Sequence, residues 1–376
     1  MSGTVYLDVN ATAPVPPEVR AAVLDALLLT GNPSAVHKAG RAARRLVEDA
    51  REVIAVELGS APADVVFTSG GTEANALGIQ GLAHAVDRIA VSAIEHASVL
   101  AAARATGLSI EEIGVDTNGV LDLAALDRAL SRPGRILVAV MAANNETGVV
   151  QPIAEVARRV KAAGALVHVD AVQALGRMKV SFADLDIDSL AVSAHKLGGP
   201  KGVGALVVRG TAPLRALWSG GQERGRRAGT ENVPGIAGFA AAVNVAQQRA
   251  SELHRIGALR DELERKALAQ VPDAVVFGAN APRLANTSAL ALPGIAADLQ
   301  VMTLDLAGIC VSAGAACSSG KVTRSHVLAA MGAGALAGET IRVSLGLDTS
   351  EGDIARFLDV WSALAARRAE LSRISA

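Results

Sequence analysis

What the 376-residue sequence has little of narrows its class early. Aromatic residues are 2% of the chain, so any core is built from Ala, Val, Leu and Ile. Cys310 and Cys317 are the only cysteines; they form no CxxC pair and no zinc-type Cys/His spacing, which excludes a disulfide framework and a structural zinc site. No apolar run reaches the ~18 residues of a membrane helix, and the quietest stretch, 232–248, is broken by Pro234. The start, MSGTVYLDVN, lacks the basic-then-apolar pattern of a secretion signal, so the expectation is a cytoplasmic protein. Charge of one sign is missing too. Thirty-six Lys and Arg face 37 Asp and Glu, which argues against direct nucleic-acid binding, as the lack of an apolar run argues against a membrane partner.

Hydrophobic residues, by contrast, make up 51%, ample for a large core. Short apolar runs at 65–68, 88–92, 109–113, 136–141, 166–170, 189–193 and 205–209 alternate with helical periodicity at 40–57, 72–85, 98–106, 123–130 and 153–163. Continuous apolar strands between helices predict an α/β fold with a mainly parallel seven-stranded sheet covered on both faces. From about residue 251 the texture changes. A charged helix at 251–270 leads into strands at 274–277, 287–291, 309–312 and 340–344. The predicted organisation is a large domain over 12–250 and a smaller α+β domain formed by 1–11 and 251–376.

In a parallel sheet, ligands sit beyond the carboxyl ends of the strands. Four constellations lie where that rule points or stand out for their chemistry. Thr68-Ser69-Gly70-Gly71-Thr72-Glu73 carries a strand into a helix whose free N–H groups suit a phosphate, though alone it fits a capped turn equally well. It matches neither GxxxxGK[ST] nor GxGxxG. His168-Val169-Asp170-Ala171-Val172-Gln173 puts an acid at a strand end, able to hold a protonated ring nitrogen or simply to cap the helix expected at Gln173. Ser193-Ala194-His195-Lys196 before Gly198-Gly199 sets a lysine where desolvation makes it an imine former, or where it is an ordinary surface lysine. Together, in this order on one sheet, the three suit pyridoxal phosphate. The fourth is Ala313-Gly314-Ala315-Ala316-Cys317-Ser318-Ser319-Gly320, small residues around an accessible cysteine, whereas Cys310 reads as a buried structural thiol.

These residues, with Tyr6-Leu7-Asp8, Glu95-His96, Asn144-Asn145-Glu146-Thr147-Gly148, Arg226-Arg227-Ala228-Gly229-Thr230-Glu231-Asn232 and Ile341-Arg342-Val343-Ser344, resemble the cysteine desulfurases of the class V aminotransferase superfamily. The likeness covers nearly the whole chain and is nearest the NifS type of the NifS/IscS group. It implies a fold-type-I enzyme that uses pyridoxal 5'-phosphate to release L-alanine from L-cysteine, leaving a persulfide on Cys317. It further implies that Lys196 holds the cofactor and moves the Cα proton, that Asp170 pairs with the ring nitrogen, and that Gln173 contacts the phenolic oxygen. Asn145 would support cofactor and substrate, His96 would stack on the ring and relay protons, and Gly71, Thr72, Ser193 and His195 would bind the phosphate. The role of His96 leans on the likeness, since a helix-capping or core histidine is its plain alternative. Arg342 would grip the substrate carboxylate. Thr230 would reach the phosphate of a neighbouring subunit in a homodimer. Arg224, Arg226 and Arg227 read instead as a solvated or interface cluster.

The implied partner is an iron–sulfur scaffold or other sulfur acceptor. No intrinsic metal is expected, though Cys317 is a candidate transient ligand of a cluster shared with a scaffold. The competing readings are a selenocysteine lyase or other class V transferase, and a non-enzymatic cofactor-binding scaffold. Against the family pattern stand Val9, Gly198-Gly199 and Arg324. None of these removes a group with an implied role.

Overall fold

The computed structural model describes residues 3–314 and 324–374. Thirteen strands appear among them: β1 Val5–Tyr6, β2 Val65–Thr68, β3 Arg88–Ser92, β4 Ser109–Ile113, β5 Ile136–Met141, β6 Leu166–Asp170, β7 Ser189–Ser193, β8 Gly204–Val208, β9 Val275–Phe277, β10 Thr287–Ala291, β11 Ile309–Cys310, β12 Ser312–Ala313 and β13 Thr340–Ser344. Seven of them form one sheet in the order β2-β8-β7-β6-β5-β3-β4. The pairs β7–β6, β6–β5, β5–β3 and β3–β4 are parallel, while β8 runs against both of its neighbours.

Alternation along each strand splits the core in two. Val138 and Val140 join the helices Lys38–Leu58, Ile153–Ala162 and Val233–Gln248 on one face, while Leu137 and Ala139 meet the helices Gly71–Ala83 and Ala97–Ala105 on the other. Both faces are covered, which is why every strand of this sheet except the exposed edge strand β4 is buried along nearly its whole length rather than alternately. With β8 reversed, β2, β3, β5, β6 and β7 all end at the same edge of the sheet. That edge is where side chains can converge.

The remaining strands make a four-stranded antiparallel sheet, β12-β13-β10-β9, and a two-stranded parallel pair, β1–β11. Val5 and Leu7 share an apolar cluster with Leu259, Leu263, Phe357 and Trp361. The fully buried Trp361 donates its indole N–H to Gln300 Oε1 at 3.0 Å, so the ring costs no unpaired donor.

Three local expectations are corrected. The run 309–312 is two strands, because the chain changes sheets at Val311: β11 pairs with β1 and β12 with β13. No helix follows Asp170. The segment instead folds as successive turns closed by Ala174 N–H to Ala171 O and Arg177 N–H to Ala174 O, with Gly176 at φ +74°. Cys310 is half-buried rather than enclosed, and burial pushes its thiol up, with Asp305 and Asp8 adding to the rise.

Candidate active site

β2 delivers the chain into Ser69-Gly70 and the helix Gly71–Ala83. Gly70 takes φ +152° at the N-cap and has no side chain to cap the helix, so the N–H groups of the first turn keep no capping side chain. A Cβ on Gly71 would lie 2.6 Å from Val172 Cγ2. The cradle is therefore open only because no side chain stands there. Facing it are the Ser193 hydroxyl and His195 Nδ1, both buried without a hydrogen-bond partner. Leaving such groups unpaired costs free energy that an incoming anion would recover. The donors present fit a phosphate. Burial, then the charges of Lys196, Lys201 and Arg177, lower the His195 pKa to about 4, so at neutral pH the ring is uncharged.

Glu73 closes the turn from below. Its Oε2 accepts the Ser69 N–H at 2.7 Å and its Oε1 meets Arg227 Nε at 2.8 Å. Burial pushes this carboxyl up, but the bonds from Arg227 and Ser69 outweigh it and hold it below the usual range. Arg227 is thus tied to the cradle helix rather than left in a solvated cluster. Arg224 and Arg226 are the exposed-side members of that motif, donating to the carbonyls of Pro62 and Ala63. One residue earlier, Glu223 forms a buried two-point pair with Arg51, at 2.7 and 2.9 Å, and accepts the Phe67 N–H at 2.8 Å. Thr230 is exposed and lines a cavity of about 150 Å³ with Thr68 and Ser69.

Beyond β6, Asp170 is 6% exposed and accepts from Asn75 Nδ2 at 2.8 Å and from the Val172 N–H at 2.9 Å. Beyond β7, Lys196 Nζ donates to the carbonyls of Asn10 at 2.6 Å and Ala11 at 2.9 Å. Gln173 Nε2 donates to the same Asn10 carbonyl at 3.1 Å, while its Oε1 accepts from Arg177. Beyond β3, His96 caps the helix Ala97–Ala105, its Nδ1 accepting the Ser98 N–H at 3.1 Å. Its neighbour Glu95 is wholly buried. Burial, then the charge of Asp170, raises the Glu95 pKa well above the carboxylate range. Beyond β5, Asn144 Oδ1 accepts the N–H groups of Glu146 and Thr147 and turns the chain so that the carbonyl of Asn145 meets Arg342.

Arg342 comes from the other sheet, on β13. Its guanidinium gives one nitrogen to Asp8 Oδ1 at 2.7 Å and another to Asn145 O at 3.1 Å, and its buried Nε has no partner. Cys317 lies outside the described residues, but the chain on either side of 315–323 does not. Ser312, three positions from that segment, pairs with Arg342. Ser325 Oγ donates to Glu146 Oε2 at 2.6 Å, and His326 Nε2 donates to the Glu95 carbonyl at 2.9 Å.

The structure therefore gathers Gly71, Thr72, His96, Asn145, Asp170, Gln173, Ser193, His195 and Lys196 at one sheet edge, and Arg342 adjoins them through Asn145. Sequence reasoning missed Asp8, Asn10, Asn75 and Glu146. Asn10 is fully buried and bonds outward to Thr287, Asn286, Asn145 and Ser344. Its signal in the sequence is faint: a polar residue after the short run Val5-Tyr6-Leu7. The Gly198-Gly199 departure has a spatial reason, since a Cβ on Gly199 would stand 2.7 Å from Ala194 Cβ. Among the described residues no group of three His, Cys, Asp or Glu could hold a metal ion.

The aminotransferase class-V profile matches residues 5–357. The chain belongs to the aminotransferase class-V family. Within it, the chain is 45% identical over 368 residues to a cysteine desulfurase of Cereibacter sphaeroides, covering 95% of this chain and 94% of that one. It is 39% identical to the cysteine desulfurase IscS of Dictyoglomus turgidum, covering 96% and 94%. Among solved structures, a NifS-like protein from Rickettsia africae superposes with a TM-score of 0.89 at 35% identity, covering 96% of this chain and 99% of that one. As a class-V member with NifS-like neighbours, the chain has the α/β fold of that group.

Proposed function

We propose that the protein is a pyridoxal-phosphate-dependent cysteine desulfurase: it takes sulfur from L-cysteine, releases L-alanine, and holds the sulfur as a persulfide on Cys317 for an acceptor. The observation that carries the reading is the convergence of unpaired phosphate donors, a buried acid and a lysine at one sheet edge. Full-length likeness to cysteine desulfurases supports it.

When bound, the cofactor supplies an electron sink for the pair left at Cα. The rest is work for the chain. The Gly71 and Thr72 end of the helix, Ser193 and His195 would hold the phosphate, and Asp170 would keep the ring nitrogen protonated by its charge. Gln173 would contact the phenolic oxygen, His96 would stack on the ring and Asn145 would support cofactor and substrate. Lys196 Nζ is the amine of covalent attachment and afterwards carries the Cα proton. The substrate carboxylate takes the donor that Arg342 leaves unpaired, and the Arg fork suits it in a way an ammonium does not. Cys317 Sγ, as thiolate, bonds to the substrate sulfur while the Cβ–S bond breaks, and the three-carbon remainder is protonated and leaves.

The assembly in this reading is a homodimer in which Thr230 reaches the partner's phosphate. In support, Leu24, Leu27, Leu28 and Val36, close together in sequence, are all exposed apolar side chains, with Leu28 82% and Val36 87% accessible. The two-domain division, 12–250 against 1–11 with 251–376, draws support from the cluster that joins Val5 and Leu7 to Trp361. Among the described residues no helix is long and apolar enough to cross a membrane. The partner is a sulfur acceptor such as an iron–sulfur scaffold.

The test is incubation with L-cysteine followed by intact-mass measurement. One extra sulfur on Cys317, with alanine in solution and neither in Cys317→Ser, is expected. Turnover undiminished in Cys317→Ser would refute the persulfide. Borohydride reduction and digestion should leave the cofactor on Lys196.

A further inference from the structure

Beneath the sheet edge lies a polar chain that none of the roles above uses. Asp170 Oδ2 accepts from Asn75 Nδ2 at 2.8 Å, and the same nitrogen reaches Ser98 Oγ at 3.0 Å. Asn75 Oδ1 lies 3.0 Å from His168 Nε2, and His168 Nδ1 lies 2.8 Å from Ser189 Oγ. On the other branch, Ser98 Oγ lies 2.7 Å from His96 Nδ1. Asn75, His168 and Ser189 are at most 1% exposed, so water does not compete for these bonds.

Chemistry fixes the direction of each bond. A carboxylate only accepts, so the amide nitrogen of Asn75 must face Asp170 and its oxygen must face His168. His168 then carries its proton on Nε2, and its Nδ1 accepts from Ser189. Since Ser98 Oγ accepts from Asn75, its own hydrogen goes to His96 Nδ1. That nitrogen also accepts the Ser98 N–H at 3.1 Å, so it has two donors and no room for a proton of its own. The proton of neutral His96 sits on Nε2. Burial lowers the His168 pKa to about 3, which keeps that ring neutral and the polarity of the branch fixed.

A second observation shows that the chain is built in. His168 needs space inside the helix Gly71–Ala83, and Gly78 supplies it: a Cβ there would lie 2.6 Å from the imidazole. Glycine in a helix interior costs about 1 kcal/mol relative to alanine. The helix accepts that cost where the ring passes.

We propose that Asn75, acting with Ser98, is a positioning residue that couples Asp170 to the His96 ring and holds His96 as its Nε2–H tautomer. Its consequence for catalysis rests on the reading of Asp170 and His96 given above. Under that reading, the acid at the ring nitrogen and the imidazole over the ring are joined by one amide, and His96 offers a proton from Nε2 only.

The test is nitrogen-15 NMR of the full-length protein labelled at histidine, which separates protonated from unprotonated ring nitrogens. At neutral pH, His96 and His168 should each show an unprotonated Nδ1 and a protonated Nε2. Ser98→Ala keeps the backbone N–H but removes the hydroxyl donor, so it should move the His96 Nδ1 resonance downfield, as for an unprotonated nitrogen with fewer hydrogen bonds, and leave His168 in place. Asn75→Leu should shift both rings, and if that variant fails to fold, Ser98→Ala still decides. A protonated Nδ1 on His96 in the parent, or no movement of His96 in Ser98→Ala, would overturn the proposal. The readout needs no turnover: resonances as expected in a protein that releases no alanine would remove the proposed activity and leave the coupling standing.

Discussion

Arg342→Lys separates charge from geometry at the substrate end of the site. In the parent, the fork serves three directions: Asp8 Oδ1 at 2.7 Å, the Asn145 carbonyl at 3.1 Å, and an unpartnered buried Nε. A lysine keeps the charge, but its three N–H donors sit on one atom, which Asp8 draws to itself. The variant therefore has no donor at the separate position that Nε holds for a ligand carboxylate. A hydrogen bond to a charged group is worth about 1.5–3 kcal/mol, so KM for L-cysteine should rise roughly 10- to 150-fold. The effect belongs in KM, because the carboxylate is clamped before and during the chemistry alike. Steady-state alanine release against L-cysteine concentration measures it, with cofactor loading checked by absorbance. A KM within about threefold of the parent, or a fall confined to kcat, would show that Arg342 does not hold the carboxylate.

Three further outcomes follow from the same geometry. Arg51→Met leaves Glu223 buried without its cation, and should lower stability by about 3–5 kcal/mol in urea unfolding; a loss under about 1 kcal/mol would mean that the pair is idle. Ser193→Ala should weaken cofactor affinity about tenfold or more while leaving the melting point of the cofactor-free protein unlowered, because the hydroxyl has no partner within the chain. A cofactor-free variant that melts markedly earlier would count against this. His168 and His195 have folded pKa values of about 3 and about 4, below the unfolded value of about 6.5. The unfolded chain therefore binds more protons as pH falls from about 6.5, and the two rings together should remove stability at up to about 2.7 kcal/mol per pH unit down to about pH 4. Carboxylates held low, such as Glu73, begin to contribute only below that window's upper half. Urea midpoints equal at pH 6.5 and pH 5 would contradict the burial of neutral rings.

Much of the large sheet was legible because its strands, the exposed edge strand β4 apart, are buried on both faces and so read as largely apolar runs; six of the seven boundaries coincide with the expectation, and β8 is displaced by one residue. The reversal of β8 was not legible. Strand direction depends on pairing partners far along the chain, and Gly204–Val208 carries the same pattern either way. The break at Val311 was hidden for the same reason: one apolar run serves two sheets. At the site, residues whose own chemistry is distinctive, such as Asp170 and Lys196, could be singled out from their position after strands. Asp8, Asn10, Asn75 and Glu146 could not, because each matters through a partner that only folding supplies. Asn10 meets Thr287 across 277 positions and Asp8 meets Arg342 across 334.

The short strand Val5–Tyr6 and the residues after it have a consequence for how the protein is made. Among the described residues the strand's ladder partner is Ile309–Cys310, and the carbonyls that receive the lysine amine belong to Asn10 and Ala11. On the ribosome residues 5–11 wait for partners some three hundred positions later. Maturation of the catalytic centre is thereby deferred until the strand at 309–310 has emerged, however early the lysine itself is made.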